Sequence, residues 1–347
     1  MVLKFAVMPD SPAEMSEALV RLGLVPAGMS VPMTPLAGGV SSDIWRADLP
    51  DGPVCIKRAL PKLRVAADWR APVGRNIYEA RWMETVREIL PDAVPALLAH
   101  DPDAGLFVMT YLDPADYPLW KGALMAGRID ATVARSVGDC LGRIHASTAG
   151  DAALAARFDS GAIFHAIRLD PYLLATARVH PDCADALTEL AETTAATRRA
   201  LIHGDVSPKN ILAGPRGPAF LDAECASYGD PAFDLAFCLN HLLLKCLHRP
   251  DLHAGYLACF DGLADRYLPH VEWEEPAALE RRAARLLPGL LLARVDGKSP
   301  VEYVNDEGIK DRVRTLTRRV LARPVDRLAE LRAHWLAMIG GIEENAI

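Results

Sequence analysis

The sequence lacks a C-x-x-C pair, a G-x-G-x-x-G turn, a G-K-[ST] tripeptide after its Gly38-Gly39 pair and any apolar run long enough to cross a bilayer. Its cysteines are odd in number and scattered, at Cys55, Cys140, Cys183, Cys225, Cys238, Cys246 and Cys259. That argues against a disulfide framework and for unpaired thiols, most of them small core residues in a reducing compartment. With no G-K-[ST] after that glycine pair, the turn is not a P-loop. The longest apolar stretches, Ala236 to Leu244 and Leu286 to Ala293, are well short of a membrane span, and Asn240 and His241 break the first. The opening residues MVLKFAVMPDSP are too short for the apolar core of a secretory signal. A cytoplasmic protein with no membrane partner is expected. Internal repeats and low-complexity tracts are also missing, so a solenoid is not expected.

No strong charge of one sign is present either. The net charge of −7 argues against nucleic acid as a main partner. Arg281, Arg282, Arg285 and the basic stretch 312–323 have acids close by and read as solvated helix faces. Glu272, Glu274 and Glu275 sit beside the first of these arginines. No acid-rich pocket for a polycationic aminoglycoside shows, so a neutral alcohol or sugar is the expected acceptor. The length of 347 residues suits one large or two coupled units. A homodimer is left open.

The pattern changes along the chain. Residues 13–22 predict a short amphipathic helix. From Met33 to Leu60 the chain reads as short strands, with Gly38-Gly39 at one turn and Asp51-Gly52 at another. Residues 74–90 predict a helix ended by Pro91 and Pro95. LFVMTYL, residues 106–112, reads as a buried strand. Beyond it helices dominate, at 131–148, at 185–199 and from Pro231. The expected fold class is α+β, bilobal, with a small β-rich N-lobe (1–112) and a larger, mainly helical C-lobe (113–347).

The chemistry concentrates in LIHGDVSPKNILAGPRGPAFLDAECASYGDPAFDL, residues 201–235. Phosphoryl transfer from Mg-ATP needs a carboxylate near the hydroxyl, and an amide and a second carboxylate for the metal. Asp205 is the candidate base, and Asn210 and Asp222 are candidate Mg²⁺ ligands, since Mg²⁺ prefers oxygen. Glu224, two residues after Asp222, would face the same way in an extended segment and join the metal set. A polar surface turn would account for Asp205 and Asn210 alone. His203 is assigned to packing. Asp230 reads as an N-cap with Pro231 at the first helical position, and Asp234 suits the first turn.

The N-terminal part supplies a separate sign. Lys57 lies mid-strand, on the face opposite Val54 and Ile56. Glu79 falls on the apolar stripe of its helix, with Trp82, Met83, Val86 and Leu90. A buried carboxylate needs a partner, and Lys57 is the candidate. Gly38, Gly39 and Ser41 are candidate phosphate contacts. Met109 and Tyr111, on the connector strand, are candidate nucleotide contacts.

The order Gly-rich turn, Lys57, Glu79, connector, HGD…N and Asp222 resembles the aminoglycoside phosphotransferase and choline-kinase-like family. The resemblance covers roughly residues 33–245. It implies a protein-kinase-like fold and an ATP- and Mg²⁺-dependent transfer to a small-molecule hydroxyl, of a sugar or an amino alcohol. Asp222-Ala223-Glu224 with Tyr228-Gly229 is most similar to the methylthioribose kinase branch. By that likeness Lys57 is the phosphate lysine and Glu224 a second site acid. Arg294 and Asp296, after the apolar run LLPGLLLA, are candidate acceptor contacts with Asp205. Three rival readings exist: an aminoglycoside phosphotransferase, a nucleotide-binding protein without transferase activity, and a metallohydrolase using His203, Asp205, Asp222 and His241. Asp205→Ala is expected to cost turnover and leave the fold intact.

Overall fold

The structure is a computed structural model and describes residues 12–36, 42–60 and 74–343. Gly38, Gly39 and Ser41 lie outside the described residues. A five-stranded antiparallel sheet forms the first part, in the order β1-β2-β3-β5-β4. Its strands are β1 (Met33–Pro35), β2 (Ser42–Leu49), β3 (Gly52–Ala59), β4 (Leu97–Asp101) and β5 (Leu106–Thr110). β2 and β3 form a tight hairpin in which Leu49 pairs with Gly52. Gly52 takes φ +123, open to glycine and strained for other residues. β4 has no strong alternation and was not expected from the sequence.

Two helices pack on this sheet. α1 (Pro12–Arg21) and the face of Trp45, Val54, Ile56 and Val108 form a small apolar cluster of their own. α2 (Arg75–Ile89) buries Ala80, Trp82, Met83 and Val86 in the main core, together with Cys55, Phe107 and Met109. Strand alternation therefore divides β3 between two cores, and Lys57 faces the α2 side.

The rest is mostly helical, as expected. It runs α3 (Trp120–Met125), α4 (Ala131–Thr148), α5 (Ala152–Arg157), α6 (Gly161–Phe164), a π-helical segment (His165–Leu174), α7 (Ala175–Val179) and α8 (Ala184–Ala196). Two small antiparallel ribbons follow, made by β6 (Ala200–Ile202) with β9 (Ser227–Gly229) and by β7 (Ile211–Gly214) with β8 (Gly217–Phe220). Then come α9 (Pro231–His248), α10 (His253–Tyr267), α11 (Pro276–Asp296), α12 (Glu307–Ala322) and α13 (Leu328–Glu343). The helix expected over 185–199 stops at Ala196, because Ala200–Ile202 is taken into β6.

α9 is buried along nearly its whole length. Its N-cap is Asp230, whose side chain accepts from Ala232 N. Arg282 of α11 also grips Asp230, with both contacts at 3.0 Å. α4 meets α10 so closely that a Cβ at Gly138 would lie 2.2 Å from the Leu263 carbonyl oxygen. None of the seven cysteines is in a disulfide, and all but Cys140 are buried. Among the described residues no helix is long and apolar enough to cross a membrane.

Candidate active site

The loop from His203 to Asn210 lies between β6 and β7, and its backbone is held from below. The buried Asp234 carboxylate of α9 accepts from His203 N at 2.7 Å and from Gly204 N at 2.8 Å. His145 Nε2 of α4 lies 3.4 Å from the same carboxylate. Gly204 has φ +77, and a Cβ there would meet the Cys225 carbonyl oxygen at 2.7 Å. Only glycine fits that point of the HGD motif. His203 Nδ1 accepts from Asp205 N at 3.1 Å, so Nε2 carries the proton and donates to Leu221 O at 3.0 Å. Burial lowers the His203 pKa and favours this neutral form. Both ring nitrogens are used on backbone, as a packing role requires.

These bonds aim Asp205, which is almost fully buried. Its Oδ2 faces Arg168 Nη2 at 2.7 Å and Lys209 Nζ at 3.1 Å. Its Oδ1 has no partner. Burial opposes the charge on Asp205, but Arg168 and Lys209 outweigh it and hold its pKa below the usual range. The carboxylate therefore stays ionised with one oxygen open.

Arg168 is a functional residue that the sequence reading missed. It sits in the π-helical segment, which also contains Pro171. Its Nη1 donates to Ile167 O at 2.6 Å and its Nε to Gly204 O at 2.7 Å. An arginine inside the apolar run Ile167–Leu174 was the available signal.

The other expected residues gather beside this loop. Asn210 Nδ2 donates to Asp205 O at 3.0 Å, which leaves its amide oxygen as the free end. Lys57 Nζ reaches both oxygens of Glu79, at 2.7 and 2.8 Å, and also contacts Asp222 Oδ1. Lys57 and Glu79 are each 3% exposed. Burial works against the Lys57 ammonium, but Asp222 and Glu79 overcome it and keep the lysine charged. Burial likewise opposes the Asp222 carboxylate, and Lys57 with Lys209 holds its pKa well below the usual range.

Asp222 and Glu224 bond to different partners. Asp222 has φ +65, the one non-glycine with positive φ among the described residues. The segment is thus bent where an extended one was expected, at a strain of about 1 kcal/mol. Asp222 goes to Lys57, whereas Glu224 Oε2 accepts from Arg75 Nε of α2 at 2.7 Å. Arg75 is fully buried and was assigned no such role from the sequence.

Met109 lies buried in β5, paired with Cys55 and Leu97. Tyr111, just past that strand, carries the Arg46 guanidinium over its ring at 4.8 Å. Arg294 and Asp296 are separated in their partners. Arg294 Nη1 donates to Tyr172 Oη at 3.3 Å, beside a ring that also has Arg168 at 5.9 Å. Asp296 instead accepts from Arg314 at 2.7 and 2.8 Å and lies 2.8 Å from His180 Nε2.

Among the described residues no cluster of three or more His, Cys, Asp or Glu could hold an ion alone. His203, Asp205, Asp222 and His241, the set of the metallohydrolase reading, therefore do not form such a cluster. The lack of one among the described residues fits Mg²⁺ brought in with phosphates, which takes one or two carboxylates from the protein and the rest from phosphate and water. Asn210 and Asp222 are donors of that kind.

Comparison with known proteins agrees with this geometry. Methylthioribose kinase 1 of Oryza sativa subsp. japonica is 28% identical over 232 residues, which are 58% of this chain and 53% of that protein. The chain spans about half the length of the curated relatives it matches. The amicoumacin kinase hAmiN, solved with AMP-PNP, Ca²⁺ and Ami, superposes with a TM-score of 0.54 at 13% identity, over 92% of this chain and 96% of that one. The ethanolamine kinase of Plasmodium vivax superposes with a TM-score of 0.52 at 11% identity, over 98% and 95%. At such identities the likeness concerns the fold, which is protein-kinase-like. A model of the phosphotransferase enzyme family (APH) matches residues 32–265. With more than half of its length matched, and with the HGD loop, Lys57, Glu79 and Asp222 in one site, the chain belongs to the phosphotransferase enzyme family.

Proposed function

We propose that this protein is a kinase that moves the γ-phosphoryl group of Mg-ATP onto a hydroxyl of a small polyhydroxylated molecule. The observation that carries the reading is the pairing of Lys57 with Glu79 and Asp222 next to an ionised Asp205 whose Oδ1 is open. Residues 1–112 would clamp the nucleotide and 113–347 would supply catalysis and acceptor binding. Met109 and Tyr111 would contact the base, and Gly38, Gly39 and Ser41 would form the phosphate turn.

The roles follow from charge and reach. Asp205 Oδ1 accepts a hydrogen bond from the acceptor hydroxyl and orients it. A depressed pKa makes Asp205 a weak base, which suits a loose transition state in which the proton leaves late. Lys57 offers its ammonium to the nucleotide's phosphates when its contact with Asp222 yields. Asn210 and Asp222 would hold the divalent cation, which neutralises charge on the phosphate oxygens when bound. Glu224 holds Arg75 and so seats α2 and Glu79.

A sugar of the pentose class is the acceptor favoured by the likeness to methylthioribose kinases. The test is an ADP-release screen of the purified protein with Mg-ATP. It would cover methylthioribose and other pentoses, sugar acids and phosphates, amino alcohols and aminoglycosides. ADP release that depends on a hydroxylated acceptor, with a phosphorylated product, is expected. Binding of Mg-ATP without any product across the panel would leave a nucleotide-binding protein without transferase activity.

A further inference from the structure

α9 carries more than the clamp on the catalytic loop. Asp234, Phe237, His241 and Lys245 follow at three- and four-residue spacing, so they share one face of the helix. The Phe237 ring lies 5.4 Å from Tyr172 and 5.5 Å from His241. Lys245 is 1% exposed. Its ammonium lies 5.2 Å from the centre of the Tyr303 ring. Among the described residues it meets no carboxylate and no hydrogen-bond acceptor. Arg294, 9% exposed, donates to Tyr172 and Ser299 but meets no acid, and its Nε has no partner. The buried Tyr303 hydroxyl is likewise unpartnered.

Arg168 and Lys209 share Asp205, and Lys121 has Glu302 at 2.5 Å. Asp222 and Glu224 also act on Lys209 and Arg168, whereas Lys245 and Arg294 have no carboxylate bonded to them. His241, buried among them, is kept neutral by burial and by the fields of Arg294, Lys245, Lys209 and Lys121. A buried cation without a counter-charge is costly, and a cation–π contact returns only part of that cost. One tyrosine ring, Tyr172, bridges from Arg168 on Asp205 to Arg294. A small polyol could span that gap.

We infer that the acceptor carries an anionic group, a carboxylate or a phosphate, which Arg294 and Lys245 receive while its hydroxyl meets Asp205. The inference rests on the kinase reading above and narrows it. The acceptor is a sugar acid or sugar phosphate, in place of the neutral alcohol expected from the sequence. Choline-like amines and aminoglycosides are disfavoured by the same two cations, since like charges repel.

The test uses the full chain and acceptors matched in shape but not in charge: D-ribose with D-ribose 5-phosphate, and glycerol with D-glycerate. ADP release gives kcat/KM, and calorimetry on the Mg-ADP-loaded protein gives Kd. The anionic member of at least one pair should be favoured by roughly 10- to 100-fold, the usual worth of a buried charged hydrogen bond. The ribose pair reports phosphate and the glycerol pair carboxylate. Lys245→Met should erase the preference through KM with little change in kcat, and Lys245→Arg should restore part of it. Equal or absent response from both members of both pairs overturns the inference, as does preference for a neutral member or an unchanged preference in Lys245→Met. Turnover without charge preference would sink this inference alone. Anion-selective binding with no ADP release from any acceptor would sink the kinase reading and leave the anion site standing.

Discussion

Asp205 Oδ2 is tied to Arg168 and Lys209, whereas Oδ1 has no partner. The same ties make Asp205 structural as well as chemical. Asp205→Ala strands Arg168, which is 6% exposed. Losing one member of a buried pair costs about 3–5 kcal/mol, so the fold would not be left untouched as the sequence alone suggested. Asp205→Asn keeps a hydrogen-bond acceptor and is the better probe, with a loss of roughly 10²- to 10⁴-fold in kcat. Urea titration of both variants should show the larger stability loss in the alanine form; equal midpoints would mean that Arg168 does not depend on Asp205. Lys245 gives a second test at this scale. Its pKa is pushed down to about 8, first by burial and then by Lys121, with Arg294 adding and Glu302 opposing, from the ordinary 10.5. Between pH 8 and 10.5 the unfolded chain holds more protons than the folded one, so the group's contribution to stability rises with pH there. Below pH 8 the cost of the buried ammonium is fully present. Lys245→Met should therefore be the more stable form at pH 7, by about 1–4 kcal/mol, with its lead shrinking toward pH 10.5. A lead that does not change over that window would show that Lys245 titrates normally.

α2 and α9 hold the site from opposite sides. α2 contributes Glu79 to Lys57 and Arg75 to Glu224, and its Trp82 meets the His203 ring edge-on at 4.8 Å. α9 contributes Asp234 beneath the HGD backbone. Asp234→Ala orphans two buried N–H groups at a cost of roughly 2–6 kcal/mol. Both stability and kcat should fall together, read by denaturant midpoint and turnover. A variant with normal kcat would show that the loop holds its shape without α9. The apolar stripe of α2 and the cap of α9 were legible in the sequence, because helical spacing and capping are local rules. The grip of Asp234 on residues 30 positions earlier was not, since its targets are backbone groups with no side-chain signature. Arg168 stayed hidden for a similar reason. A π-helical turn carries it, and no spacing rule of the α-helix covers that geometry.

Across the whole molecule, one apolar core runs from β3 and α2 through to α13. A second, smaller one lies under α1 on the far side of the sheet. The division into a sheet part and a helical part was readable from composition, and Lys57, Glu79, Asp205, Asn210 and Asp222 were readable from spacing. Glu224 was assigned to metal on an extended reading of its segment; the chain bends at Asp222, and Glu224 pairs with Arg75. Asp296 was grouped with Arg294 by nearness in sequence, but Arg314 and His180 take it elsewhere. The pair of cations without a bonded carboxylate, Lys245 and Arg294, needs α9 and α11 to be brought together, which only the folded chain does. The central claim is that this assembly transfers phosphate through Asp205. The most direct measurement is single-turnover transfer of a labelled γ-phosphoryl group from ATP to the best acceptor of the screen, with wild type and Asp205→Asn side by side. The account predicts label in the acceptor with wild type and a rate lower by roughly 10²- to 10⁴-fold with Asp205→Asn. Label released only as free phosphate, or equal rates in the two proteins, would contradict it.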